Sequence, residues 1–166
     1  MKRILSVLVS GFTIYALAAC LTGQGPTSAA ADKKPSQDKE HGLTLSDMQV
    51  KITSRGRTAT FQLYDTVAAK QFYDQLPLKL DLTNFRDAQW MFYPPAKLSV
   101  TAREAYHDGK RGELSYYAPW GNLALFYRDF GYSSGLIKLG SIDSGVEALD
   151  HPGPLTVTIE SIREDK

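Results

Sequence analysis

Short runs in which apolar and polar residues alternate make up most of the chain. Val50 and Ile52 alternate with polar neighbours, and after a turn signal at 54–57 the alternation resumes at Phe61 and Leu63. Because the side chains of a strand point alternately to opposite faces, this pattern predicts a hairpin with one buried face. Further strands are predicted at 78–82, 90–93, 113–117, 123–127, 136–142 and 155–160, and a further turn at 107–110.

Two segments have a helical rather than a strand pattern. Apolar residues at helical spacing between Ala68 and Leu76 predict a helix of about ten residues, with Asp65 as its N-cap. The run 144–147 fits a capping box and predicts a second, shorter helix that ends near Leu149. About eight short strands and two short helices indicate a mainly β domain, either a closed barrel or a sandwich.

The first 19 residues have a third pattern. Lys2 and Arg3 precede an uncharged, mainly apolar run from Ile4 to Ala19. That run is shorter than the roughly 20 residues that a membrane-spanning helix needs. A positive start, an apolar run and small residues at its end are typical of a signal peptide, so we expect residues 1–19 to be removed on export.

The apolar run ends in Leu-Ala-Ala followed by Cys20, the single cysteine of the chain. These residues resemble the lipobox of bacterial lipoproteins, in which the cysteine thiol takes a diacylglycerol as a thioether and becomes the first residue after cleavage. An incidental cysteine behind an ordinary signal peptide is the alternative. The resemblance implies a membrane anchor at Cys20 and a place in the cell envelope. Leu21, which is not Asp, implies the periplasmic side of the outer membrane in a Gram-negative cell and otherwise the outer face of the plasma membrane.

The segment after Cys20 is rich in Gly, Pro, Ser, Ala and charged residues and has no apolar period up to about Gly42. It buries too little apolar surface to offset the entropy of ordering it. We therefore predict a lipidated cysteine and flexible tether at 20–45 and a single domain at 46–166. A formal net charge of +1 gives no basic field for nucleic acid, and we expect a monomer.

Four strings of the domain resemble the bacterial cyclophilin-like domains. They are TATFQLYD at 58–65, QLPLKLDL at 75–82, GELSYYAPWGNLALFYRDF at 112–130 and LIKLGSID at 136–143. The resemblance covers roughly 48–162 and implies a cyclophilin-like closed β-barrel of about eight strands with two short helices. Cyclophilin isomerases carry a Phe-His-Arg run, of which Phe85-Arg86 is a partial echo without the His, and the Gln-Gly-Gly-Asp run that follows is missing. The fold likeness therefore does not carry the isomerase activity with it.

No catalytic motif stands out in the sequence. His41, His107 and His151 have no His, Cys or carboxylate at a metal-ligand spacing. The glycines and serines of 131–135 lack the Lys and the helix of a phosphate-binding loop, and no serine nucleophile elbow occurs. We expect no catalytic residue, no metal and no cofactor.

Aromatic residues are concentrated between residues 90 and 132. One interpretation is core packing with a few surface aromatics. The other is a groove lined by Tyr117, Trp120 and Tyr132, with Arg128 at its rim, which would suit a peptide or a small apolar ligand. Three functions stay open: a non-catalytic binding lipoprotein, a peptidyl-prolyl isomerase acting on envelope proteins, and a structural envelope protein.

Overall fold

The computed structural model of the chain describes residues 37–38, 42–101 and 105–163. Its strands are β1 (Gln37–Asp38), β2 (Leu43–Ser54), β3 (Arg57–Tyr64), β4 (Leu78–Phe85), β5 (Gln89–Phe92), β6 (Ala105–Gly109), β7 (Glu113–Tyr117), β8 (Asn122–Phe126), β9 (Phe130–Ser144) and β10 (Leu155–Ile162). One helix, α1 (Val67–Tyr73), follows β3, and a 3₁₀ turn at Val146–Ala148 follows β9.

Eight of these strands form a closed antiparallel barrel, as predicted. The order around it is β2, β10, β4, β5, β8, β7, β9 and β3, and β3 pairs back onto β2. Closure leaves no unpaired edge within the ring. The two remaining strands lie outside it, where β1 pairs with β2 and β6 pairs with β9.

The barrel core consists of the inward-facing residues of the alternating strands. Val50 and Ile52 of β2 and Phe61 and Leu63 of β3 are fully or almost fully buried, as the alternation predicts. Trp90 of β5 is also in the core, and its indole N–H donates to the carbonyl oxygen of Leu149 at 2.6 Å.

A second, smaller apolar cluster lies on the outer face of the barrel, where β6 pairs with β9. We call it the outer cluster, and its buried members are Tyr106, Ala124, Phe126 and Leu136. Ala124 and Phe126 alternate along β8 with Leu123 and Leu125 of the barrel core. All five residues of β8 are therefore buried, which explains why this strand is a near-continuous apolar run.

Both helix predictions need correction in detail. Thr66, not Asp65, caps α1, because the Thr66 hydroxyl accepts from the backbone N–H of Ala69 at 3.2 Å, and the helix has seven residues rather than about ten. The predicted second helix is one 3₁₀ turn without a side-chain cap. Gly145 lies before it with φ +77°, and a Cβ there would be 2.1 Å from the carbonyl oxygen of Thr58. Close packing on β3 thus holds Ser144 in the strand instead of in a capping box.

Two predicted boundaries also differ from the structure. The turn predicted at 107–110 is wrong, because β6 runs to Gly109 and the turn follows it. β2 begins at Leu43 and pairs with β1, so strand structure reaches into the segment predicted as tether.

Residues 1–36, which include the predicted signal peptide, Cys20 and most of the tether, lie outside the described residues. Within the described ranges, no helix is long and apolar enough to cross a membrane.

Candidate functional site

An open cavity of about 230 Å³ lies on the outer face of the barrel, beside β5 and the start of β8. We call it the aromatic cavity. Its lining residues are Phe85, Arg86, Gln89, Met91, Tyr117, Trp120, Asn122, Phe130, Tyr132, Ser133 and Leu136. Strand alternation produces its floor, because Trp90 and Phe92 of β5 point into the barrel core and leave Gln89 and Met91 on the outer face.

A chain of touching aromatic rings borders the cavity. Tyr117 and Trp120 meet edge to face with their ring centroids 5.4 Å apart. Trp120 also meets Phe85 edge to face at 6.0 Å, and Phe85 lies 6.0 Å from Phe130. Such edge contacts are the geometry that aromatic quadrupoles favour. They fix the orientation of Trp120 although about half of its surface, 53%, is exposed.

The turn between β7 and β8 holds Trp120 in this position. The backbone N–H groups of Trp120 and Gly121 both donate to the carbonyl oxygen of Tyr117, at 3.3 and 2.8 Å. Gly121 has φ +72°, a conformation that glycine adopts without steric cost. The turn therefore projects the indole outward over the floor of the cavity.

Three of the four residues predicted for a groove line this cavity, and the fourth does not. Tyr117, Trp120 and Tyr132 all line it, with Tyr132 the most exposed. Arg128 instead lines a second cavity and pairs with Asp150 at 2.9 Å. Most other aromatics of the predicted cluster are buried, with Trp90, Phe92, Tyr116 and Tyr127 in the barrel core and Phe126 in the outer cluster.

The cation at the aromatic cavity is Arg86. The sequence analysis noted this residue only because Phe85-Arg86 partly matches the Phe-His-Arg run of the cyclophilin isomerases. It lies in the turn after β4 with φ +56°, and its guanidinium carbon is 5.3 Å from the centroid of the Phe85 ring. Among the residues that the structure describes, none pairs with Arg86 in a salt bridge. Its charge is therefore available to a ligand at this end of the cavity.

Two of the residues that line the cavity have buried amide side chains with an unpaired oxygen. Gln89 and Asn122 are 7% and 1% exposed, and neither Gln89 Oε1 nor Asn122 Oδ1 has a hydrogen-bond partner in the described structure. A buried acceptor without a donor costs about 1–3 kcal/mol. The sequence offers only a weak signal for these residues: each is a polar residue at the start of an apolar strand.

The comparisons with known proteins bear on the whole domain. The model of the Cyclophilin-like family matches residues 52–160. The chain belongs to the cyclophilin-like family. The solution structure of the hypothetical protein AF2241 from Archaeoglobus fulgidus is similar to this cyclophilin-like domain, with a TM-score of 0.56 over 68% of this chain and 93% of that one. At 17% identity this likeness shows the fold alone. No curated protein matches the chain.

The cyclophilin-like domain has a second, larger cavity of about 590 Å³ at the turn after β4. His151 lies there, with its Nε2 2.8 Å from Nη1 of Arg55. Because a guanidinium only donates, Nε2 accepts and the proton lies on Nδ1, which is buried without a partner in the described structure. Asp150 is already paired with Arg128. No group of three or more possible metal ligands occurs in the described part of the chain, and His41 lies outside it.

A buried polar network lies beneath β6 of the cyclophilin-like domain. Lys138 Nζ is 2.6 Å from Glu113 Oε1, and the hydroxyl of Tyr106 donates to Glu113 Oε2 at 3.1 Å. The hydroxyls of Tyr106 and Ser115 also hydrogen-bond. Burial raises the pKa of the Tyr106 hydroxyl, and the nearby charge of Glu113 raises it further. These residues line neither cavity, so the network belongs to the packing of the outer cluster.

Proposed function

We propose that this cyclophilin-like domain is a non-catalytic binding domain, carried on a lipoprotein anchored in the cell envelope through Cys20. It holds a peptide or a small apolar ligand in the aromatic cavity. The supporting observation is that Tyr117, Trp120 and Tyr132 line one open cavity and present aromatic surface there. Aromatic walls with a few convergent polar groups are typical of binding sites.

The size of the cavity limits what it can hold. A closed protein cavity of about 150 Å³ binds benzene, so about 230 Å³ suits a small ring compound or a single side chain of a peptide. Because the cavity is open, the rest of a larger ligand can lie outside it.

The variant Trp120→Ala tests the binding proposal. We expect it to weaken a cavity ligand by about 1–3 kcal/mol, as the loss of an aromatic anchor does. We also expect the fold to survive, because Trp120 is half exposed and is not part of the barrel core. Ligand-observed NMR with a set of small aromatic compounds, proline-containing peptides and other short peptides measures the first effect, and thermal unfolding measures the second.

The matched control is Tyr93→Ala. Tyr93 is an aromatic residue of similar exposure, 63%, that does not line the cavity, so its removal should leave binding unchanged. Ligands that bind Trp120→Ala as well as the unmodified domain would contradict the proposal. Unfolding of Trp120→Ala would show that the indole is a structural element.

The alternative function is peptidyl-prolyl isomerisation, and the position of Arg86 in the aromatic cavity is the observation that favours it. Catalysis needs a donor aimed at the prolyl amide nitrogen, so that amide resonance weakens in the twisted transition state. Arg86 is exposed, and its guanidinium contacts the Phe85 ring. A donor this loosely held supplies little preorganised stabilisation.

We therefore expect no acceleration of cis–trans exchange in proline-containing test peptides. Exchange spectroscopy on peptides with each residue type before the proline measures the rate with and without the protein. Acceleration that disappears in Arg86→Ala, while that variant keeps its fold, would establish the enzyme instead.

A further inference from the structure

We propose that the second cavity is a binding site for a neutral saccharide, separate from the aromatic cavity. Its position at the mouth of the barrel, the strained turns beside it and the balanced charges of its lining support this assignment. The site is independent of the proposed function, because the two cavities share no lining residue.

The second cavity opens at one end of the barrel. Leu82 of β4 and Trp90 of β5 belong to the barrel core and also line this cavity, so it reaches the inward-facing side of both strands. Residues 150–154, which precede β10, line it as well. The mouths of β-barrels are among the places where ligand sites preferentially occur.

The volume of the second cavity sets the size of the ligand. A closed cavity of about 150 Å³ binds benzene, which has six non-hydrogen atoms, so about 590 Å³ corresponds to about 24 such atoms, the size of a disaccharide.

Two strained turns lie beside this cavity. Arg86 and Asp87 form the turn between β4 and β5 with φ +56° and +51°, and Arg55 lies in the turn between β2 and β3 with φ +49°. No other non-glycine residue of the described ranges has a positive φ. Left-handed backbone is unfavourable for a residue with a Cβ, and such residues concentrate at functional sites. Asp87 lines the cavity from a position that glycine would fill without strain, which indicates a role for its side chain.

Hydrogen bonds fix the groups around the cavity before any ligand binds. Asn84 Oδ1 accepts from the backbone N–H of Asp87 at 3.0 Å, and Asn84 Nδ2 donates to the hydroxyl of Tyr127 at 2.8 Å. Arg55 holds His151, a lining residue, through the 2.8 Å contact with its Nε2. A site that is ordered in advance loses less conformational entropy on binding.

The charges at the cavity disfavour a charged ligand of either sign. An anion would lie beside the carboxylates of Asp87 and Asp150. A cation would find Asp150 already paired with Arg128 at 2.9 Å, and Arg86 and Arg55 add positive charge on the adjoining turns. A charge that leaves water without a free partner is costly to bind, so we infer a neutral ligand.

The exposed polar side chains of the lining call for hydroxyl groups on that ligand. An apolar ligand would strip water from Thr83, Asn84 and Asp87, which are all exposed. The half-exposed pair of Arg128 and Asp150 offers a donor and an acceptor side by side, because the other guanidinium N–H groups and Asp150 Oδ2 have no further protein hydrogen bond in the described structure.

A hydroxyl both donates and accepts, so neighbouring hydroxyls of a sugar ring match such a donor–acceptor pair. The exposed rings of Pro152 and Pro154 add apolar surface for the C–H face of the sugar.

NMR titration of the full chain with four neutral disaccharides tests the site. The probes are maltose, lactose, cellobiose and N,N′-diacetylchitobiose. We expect at least one of them to bind with a dissociation constant in the millimolar range or below. Analogues of that disaccharide in which one hydroxyl group is replaced by an ammonium group, or one primary alcohol is oxidised to a carboxylate, should bind about tenfold more weakly.

The variant Asp87→Gly separates binding from folding. It removes the carboxylate and supplies a residue that adopts the turn without strain, so the thermal midpoint should stay the same or rise while disaccharide binding weakens about tenfold. Arg128→Met should weaken binding as well. The matched control is Asp47→Ala, since Asp47 is an exposed carboxylate of β2 that lines neither cavity. Should a variant fail to fold, the side-chain amide resonances of Asn84 in the unmodified protein should still shift with the disaccharide.

Three results would overturn this inference. None of the four disaccharides binds, or a charged analogue binds as tightly as its neutral parent. In the third, binding persists in Asp87→Gly and Arg128→Met but is lost in Trp120→Ala, which would place the sugar in the aromatic cavity and support the proposed function. The first two leave the proposed function of the aromatic cavity standing.

Discussion

Glu113 and Lys138 are almost fully buried on the outer face of the barrel, and they form an ion pair there, with 2.6 Å between Lys138 Nζ and Glu113 Oε1. Tyr106 and the backbone N–H of Lys110 complete the hydrogen bonds of the Glu113 carboxylate. Buried charges are tolerated when their partners are complete, because the desolvation cost is then offset. Gln89 Oε1 and Asn122 Oδ1 are also buried, but they have no partner in the described structure. At the residue scale, the ion pair is therefore a complete structural network, whereas the two amide oxygens carry a desolvation cost.

The raised pKa of Tyr106 predicts a pH dependence of stability. The unfolded chain ionises this hydroxyl near its ordinary pKa of about 10, whereas the folded protein keeps the proton to higher pH. The hydroxyl therefore contributes its full stability below pH 10 and loses it as the pH rises above that value. We expect Tyr106→Phe to cost about 1–3 kcal/mol of unfolding free energy at pH 7, from the lost hydrogen bonds.

The difference between the unmodified protein and Tyr106→Phe should shrink between pH 10 and pH 11, by up to about 1.4 kcal/mol per pH unit. Urea unfolding of both proteins across this range measures it. A difference that stays constant up to pH 11 would contradict the burial of a neutral hydroxyl between Glu113 and Ser115.

At the scale of elements, β9 links the aromatic cavity to the closure of the barrel. This 15-residue strand carries Tyr132 near its start, pairs with β6 along its first half and with β7 along its middle, and meets β3 at its end. Its register shifts against all three partners, which lets it bend around the barrel. Gly140 permits the close approach to β3, since a Cβ there would be 2.7 Å from the carbonyl oxygen of Gln62.

The last strand, β10, closes the barrel between β2 and β4, so its removal should abolish the fold. A chain truncated after Gly153 loses Leu155, Val157 and Ile159, which are at most 2% exposed. Burying each such side chain contributes about 1.5–3 kcal/mol, and the three together approach the whole stability of a typical domain, about 5–15 kcal/mol.

We expect this truncated chain to show no cooperative thermal unfolding by circular dichroism. The matched control is a truncation after Arg163, which keeps all of β10 and should unfold cooperatively. A cooperative transition in the shorter chain would contradict the closed-barrel architecture.

At the scale of the whole molecule, the barrel is one part of a chain whose first 36 residues the structure does not describe. The sequence predicts an anchor at Cys20 and a spacer between it and the barrel. The binding proposal and the anchoring proposal are independent, because neither uses a residue of the other.

The variant Cys20→Ser tests the anchor. Without the thiol no thioether to diacylglycerol forms, and the acyl chains that hold the protein on the bilayer are lost. We expect the protein to move from the membrane fraction to the soluble or secreted fraction of the cells that make it. Thr22→Ala, two residues further along, keeps the thiol and should stay in the membrane fraction. Retention of Cys20→Ser in the membrane fraction would contradict lipidation.

Several strands of the barrel could be predicted from the sequence, because a strand that is buried on one face has an apolar residue at every second position. The hairpin predicted at 48–63 lies within β2 and β3, and the last strand, predicted at 155–160, lies within β10. The aromatic richness near Trp120 likewise indicated three residues that the structure brings to one cavity. These features depend on residues close together in the chain.

Contacts between distant residues decided the rest. Arg128 lies two residues after the end of β8, yet it pairs with Asp150 and lines the second cavity. The cation that lines the aromatic cavity is Arg86, 34 positions before Trp120. The close approach of Gly145 to Thr58 limited the second predicted helix to a single turn. The burial of Asn122 without a partner for its oxygen also depends on which strands meet around it. Local periodicity carries no information about such encounters, because they arise only when the barrel closes.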